Sequence, residues 1–96
     1  MFARTSTWTG SPEALERWAE QVQNGVQPFV KGLPGNAGAF FLVDHAGQRA
    51  LTLTLWESEE AAQASDDAAE QSRARTIAAT GVELVERGRY EVAASA

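Results

Sequence analysis

The sequence predicts an α+β fold of the ferredoxin-like kind, a four-stranded antiparallel sheet with two helices on one face. Three observations predict it. Strand-like and helix-like stretches follow one another as β-α-β-β-α-β. Each half has the same βαβ plan, and right-handed crossovers with short connections leave few other ways to close the sheet. At 96 residues the chain has the length of one domain, so residues 1–96 are expected to form a single unit.

Residues 2–9, rich in Thr and aromatics, suit a pleated strand. Gly10-Ser11-Pro12-Glu13 reads as a helix start: Ser11 caps free amides, Pro12 suits the first turn, and Glu13 meets the positive end of the dipole. Leu15, Trp18, Ala19, Val22 and Val26 then recur at three- and four-residue spacing, an apolar stripe. Gly25 and Pro28 predict a kink or break. Phe29, Val30 and Leu33 continue the apolar pattern into a turn at 32–36.

Ala37 to Asp44 is expected as the second strand. Its run Phe40-Phe41-Leu42-Val43 lacks polar alternation, so both faces should be covered. A Gly-bearing hairpin loop over 44–48 leads to the third strand, Arg49 to Trp56, with Leu51, Leu53 and Leu55 on one face and Thr52, Thr54 and Trp56 on the other. Ser58 caps a second helix, whose inner face is assigned to Ala61, Ala64, Ser65, Ala68 and Ala69, and Gly81 ends it. The last strand is placed at about Arg87 to Ala93. Two apolar sheet faces with helices for only one point to a homodimer packed sheet to sheet, since burying one large side chain is worth about 1.5–3 kcal/mol; the alternative is a monomer whose second face is wet, with Thr52 and Thr54 exposed.

Charge and composition exclude several classes. Eight basic against thirteen acidic residues give a net charge of −5, which argues against nucleic-acid and anionic-membrane partners. Seven of the eight basic residues are Arg, so pointwise recognition of carboxylate or phosphate stays open. Without cysteine there is no disulfide, thiolate nucleophile or Cys–zinc site. The first residues lack a signal-peptide pattern and no apolar run nears ~20 residues, so the expected location is the cytoplasm.

His45 is the one histidine and reads as a loop residue; a His-based metal site is not expected. Asp66 and Asp67 are adjacent, diverge around a helix, and read as a solvated face. Trp56, where strand three meets helix two, has two readings: a core aromatic closing the helix–sheet seam, or a wall of a ligand pocket. Small side chains on helix two favour the second, because Ala and Ser opposite large aromatics can leave a hollow. The expected substrate-binding residues are Trp56, Trp18, Phe41, Thr52, Thr54 and Tyr90. Phe29 and Phe40 are further apolar candidates, and Arg4, Ser6, Arg73 and Arg75 further polar ones. No acid, base or nucleophile stands out.

The segment Leu55-Trp56-Glu57-Ser58-Glu59-Glu60-Ala61 resembles that of the antibiotic-biosynthesis monooxygenase family, within the dimeric α+β barrel superfamily. Phe29-Val30-Lys31-Gly32-Leu33-Pro34-Gly35 and Arg89-Tyr90-Glu91-Val92 add to the likeness. The resemblance implies a homodimer with one pocket per subunit between helices and sheet. Some relatives oxidise quinols or polyketide anthrones with molecular oxygen and no metal or flavin, so no cofactor is implied. In that chemistry the deprotonated substrate passes an electron to oxygen, and the protein binds, orients and stabilises the anion. A haem-degrading branch pairs the strand-three Trp with an Asn in strand one and a His in helix two; those places fall near Ser6 or Thr7 and near Asp66. The anthrone-oxidising relatives carry an Asn shortly before the Trp, where Thr52 and Thr54 stand here.

The expected function is therefore a cofactor-independent monooxygenase of a small aromatic or quinol-like substrate, with Trp56 stacking on the ring and Tyr90 or an Arg steadying an oxyanion. The alternatives are a non-catalytic small-molecule-binding barrel and a structural dimer whose pocket is filled by its own side chains.

Overall fold

The computed structural model describes residues 1–96. Strand β1 (Phe2–Thr9) leads to helix α1 (Pro12–Gln21), a π-helical turn (Val22–Val26) and a short helix α2 (Gln27–Lys31). Strands β2 (Asn36–Asp44) and β3 (Arg49–Trp56) form the central hairpin. Helices α3 (Glu59–Ala64) and α4 (Asp66–Thr80) and strand β4 (Glu83–Glu91) complete the chain. All strand pairs are antiparallel, in the order β2-β3-β1-β4, which is the ferredoxin-like arrangement.

Local chemistry sets each helix. Ser11 Oγ accepts the Ala14 amide at 3.1 Å, with Pro12 opening α1. The break forms where Gly25 and Pro28 place it. The Gln27 amide bonds the Val22 carbonyl, one residue further back than in an α-helix, so the register slips just before the proline that cannot donate. Ser58 Oγ caps α3 through the Ala61 amide at 3.1 Å. Gly81 ends α4 at φ +82°, and Arg17 from α1 donates twice to the last-turn carbonyl of Thr80, at 3.1 and 3.0 Å, a cation at the negative helix end.

Three expectations are corrected. Helix two is broken at Ser65, which sits at φ −92° and ψ 0° with its hydroxyl donating to the Ala62 carbonyl at 2.8 Å. Its inner face is accordingly Ala62, Ser65, Thr76 and Thr80, all buried, while Ala64 is exposed. Strand β4 starts at Glu83 rather than Arg87, because Gly81 turns the chain at once and Leu84 pairs beside Trp8; the register then shifts, Thr7 opposing Glu86 and Val85 being the extra residue.

The core lies between the helices and one sheet face: Trp8, Leu15, Trp18, Val22, Ala50 and Val82 pack together, with Phe41 and Val43 against them. The other face is open. Rows set by the register run Phe40–Leu53–Thr5 and Leu42–Leu51–Thr7, with Tyr90 beside Ala3. Phe40 is 59% and Leu42 50% exposed, so within one chain β2 is covered on one side only.

Gly35 joins α2 to β2 at φ +78°, and a Cβ there would lie 2.5 Å from Ala61 Cβ on α3. Its carbonyl also accepts the Glu57 amide at 2.9 Å, so the turn cannot move away. Gly35→Ala should cost about 1–3 kcal/mol from backbone strain with the clash in addition. Chemical denaturation should show a lowered midpoint at unchanged slope; an unaltered midpoint would refute this account of the turn.

Candidate functional site

Alternation along β1 and β3 turns Arg4, Ser6 and Trp8 and Ala50, Thr52, Thr54 and Trp56 toward the helices. Above them α1 supplies Trp18 and Val22, the α2 region Phe29, Val30 and Leu33, and α4 Ala69, Ser72, Arg73 and Thr76. Between the layers lies a hollow of about 50 Å³. It exists because α4 presents Ala, Ser and Thr where Leu would fill the space.

The walls are fixed by hydrogen bonds. Trp56, 1% exposed, donates from Nε1 to Thr54 Oγ1 at 3.0 Å, and Trp8, 3% exposed, donates to Thr52 Oγ1 at 3.1 Å. Each threonine hydroxyl accepts an indole N–H and keeps its own proton to donate. Arg4 is the other fixed point. Its Nη1 donates to Ser65 Oγ at 2.9 Å, and its Nη2 to the Ala62 carbonyl at 2.6 Å and to Asp66 Oδ1. The guanidinium carbon lies 5.4 Å from the Trp56 ring centroid, within cation–π range. Burial lowers the Arg4 pKa, partly countered by the hydrogen bond and charge of Asp66. Asp66 also binds Arg89, so this carboxylate, still 46% exposed as the sequence suggests, is in addition an anchor between β1, β4 and α4.

Of the six residues singled out from the sequence, Trp56, Trp18, Thr52 and Thr54 line the hollow. Phe41 lies beyond Trp18, in a separate groove toward β2. Tyr90 pairs beside Ala3 on the open sheet face, 55% exposed, because the shifted register of β4 puts Arg87 and Arg89 on the helix side. Arg4, Ser6 and Arg73 from the wider set border the hollow, whereas Arg75 stacks over Phe29, 5.6 Å from its ring centroid. Phe40 lies on the open face. Trp8 was missed as a wall, although its even parity with Arg4 and Ser6 carries that information.

The profile of the family described as antibiotic biosynthesis monooxygenase matches residues 1–76. The chain belongs to the antibiotic biosynthesis monooxygenase family. Among solved structures it is similar to a Streptomyces coelicolor monooxygenase from the gene ActVA-Orf6 in complex with nanaomycin D, with a TM-score of 0.74 and 19% identity over 99% of this chain and 89% of that one. SnoaB of Streptomyces nogalater, a cofactor-independent oxygenase solved as a mutant, aligns at TM-score 0.62 and 15% identity, covering 98% and 92%. The haem degrader MhuD of Mycobacterium tuberculosis, with two haems in its active site, aligns at TM-score 0.59 and 25% identity, covering 100% and 99%. An uncharacterised Mycobacterium tuberculosis protein is 31% identical over 68% of this chain, which spans only 29% of that protein's length. No helix of the chain is long and apolar enough to cross a membrane.

The residues here do not fit haem. No His, Cys, Met or Tyr borders the hollow. His45 sits in the β2–β3 hairpin, at the far end of β3 from Trp56 and so about 20 Å or more away at the ordinary strand rise.

Thr54→Val keeps the side-chain shape but leaves the buried Trp56 indole N–H without an acceptor. It should cost about 1–3 kcal/mol in chemical denaturation and alter the tryptophan emission. Wild-type stability together with an unchanged spectrum would count against the Trp56–Thr54 pair.

Proposed function

We propose that this chain is a cofactor-independent monooxygenase of a small aromatic or quinol-like substrate. The observation that carries the reading is the hollow itself: three indoles, the hydroxyls of Thr52 and Thr54 and the desolvated guanidiniums of Arg4 and Arg73 around a space roofed by small side chains. At about 50 Å³ it takes a few water-sized groups. A ring enters as Phe29 and Val26, at the break between α1 and α2, swing outward; Phe29 is already 39% exposed.

The cavity holds no carboxylate, imidazole or phenol to act as a base. Reactivity then comes from the acidity of the substrate. Arg4, itself mostly buried, supplies positive potential beside the hollow, and the Thr52 and Thr54 hydroxyls donate to the phenolate or enolate oxygen, which favours the anion. The anion gives an electron to molecular oxygen. For a methylene oxidised to a ketone, one oxygen atom enters the substrate and the other leaves as water with the two displaced hydrogens. The cofactor-independent oxygenase and the nanaomycin-bound monooxygenase among the fold neighbours support this reading. The lack of a built-in base favours the alternative, a non-catalytic small-molecule-binding protein.

The assembly that accompanies this function is a homodimer, joined through the open sheet face. Only 17 of the 96 residues are buried in the isolated chain, and Phe40, Leu42, Val85 and Tyr90 are each at least half exposed, an apolar area that a second copy would cover.

Metal-stripped protein incubated with hydroquinones and anthrones should consume oxygen above the buffer rate. Ligand-dependent tryptophan quenching without uptake would identify the binding protein instead. In sedimentation at micromolar concentration the species should have about twice the 10.3 kDa chain mass, and Leu53→Asp should return it to the chain mass. A wild-type protein already at 10.3 kDa would eliminate the dimer.

A further inference from the structure

The hollow is not closed at the β4 side. Arg4 and Arg73 border it and also border a second, solvent-open cleft of about 440 Å³ between α4 and the β1–β4 edge of the sheet. No hydrophobic residue lines the cleft. It carries Arg4, Arg73, Arg87 and Arg89 against Asp66 and Glu70. Four of the seven arginines of a chain with net charge −5 therefore converge on one place. The convergence is built in two ways. Strand register sets Arg87 beside Ser6 and Arg89 beside Arg4, all facing the helices. Asp66, Glu70 and Arg73 recur at four- and three-residue spacing along one face of α4.

The four cations are not equivalent. Arg4 and Arg89 share Asp66, whereas Arg73 and Arg87 make no ion pair or side-chain hydrogen bond. Arg73 is half-buried, and its pKa is lowered first by burial and then by the positive charges of Arg87 and Arg4, only partly countered by Glu70 and Asp66. Holding like charges together with donors unspent disfavours the empty protein, and a bound anion relieves it. A carboxylate suits the geometry better than a phosphate dianion, because Asp66 and Glu70 in the same cleft repel added negative charge while two free guanidiniums match the two carboxylate oxygens.

We propose that this cleft is an anion subsite, and that the ligand of the neighbouring hollow is an aromatic carboxylate whose ring lies among the tryptophans and whose carboxylate lies between Arg73 and Arg87. The inference rests on the hollow being a ligand site, as the proposed function has it, but not on catalysis.

Calorimetric titration with 2-naphthoate and with its neutral methyl ester, both inert to oxygen, separates the two. The carboxylate should bind at least about tenfold more tightly than the ester at low salt, with the advantage shrinking as salt rises. Arg73→Gln and Arg87→Gln should each reduce that advantage and together remove it, and Arg87→Gln, which lies outside the hollow, should leave ester binding unchanged. Thermal unfolding should show both variants folded, with the midpoint unchanged or raised because an unpaired like-charge contact is gone. Equal affinity for acid and ester, a preference that survives the double substitution, or no binding of either probe would overturn the subsite. Binding with the stated preference but no oxygen uptake with any quinol would overturn the oxygenase and leave the subsite standing.

Discussion

Arg4 cannot shed its charge when it is buried, and most of the site geometry follows from that. A guanidinium taken out of water costs several kcal/mol unless its donors are met. Arg4 sits in the middle of the central strand, so its acceptors have to be brought over the sheet. The carbonyl of Ala62, the hydroxyl of Ser65 and the carboxylate of Asp66 all come from the break between α3 and α4. The break is thereby pinned above β1, and α4 leaves from that point on a fixed course. Its small residues then face the sheet at a distance they cannot span.

The tryptophans stiffen the other walls by a different means. An indole buried to 1% of its exposed area needs an acceptor, and a threonine two residues back on the same strand supplies it for Trp56. Trp8 takes its acceptor across the β1–β3 ladder from Thr52. These pairs explain why β3 carries Thr rather than Val on its inner face: the position must be β-branched to suit the strand and must offer an oxygen. The same hydroxyls each keep a proton that is free to be donated.

The elements were legible because their signals are local. Ser11 with Pro12, Ser58, Gly81 and the Gly25/Pro28 disruption each act within one turn, and all four do in the structure what their chemistry demands. Parity along β3 correctly separated Trp56 from the leucine row. The failures are non-local. The ion pairs of Asp66 were not legible because its two partners lie 62 and 23 positions away. Tyr90 was assigned to the pocket because nothing near it announces the extra residue at Val85 that fixes which side of β4 faces the helices. Ser65 was legible on the inner face, but Thr76 and Thr80, buried further along α4, have no apolar period to read, and the Thr80 hydroxyl is met by the Thr76 carbonyl.

The central place of β1 has a consequence for how the chain is made. It is made before the other three strands, yet its two ladder neighbours are residues 49–56 and 83–91. β2 pairs with β3 alone, so no sheet of any kind exists before residue 49 is translated. Until then this part of the nascent chain can form only its helices, and β1 waits without its ladder partners. Ladder formation must close loops of roughly forty and eighty residues, an entropic toll that local helices avoid. The strand made before the other three is thus completed last, when β4 arrives to seal its remaining edge.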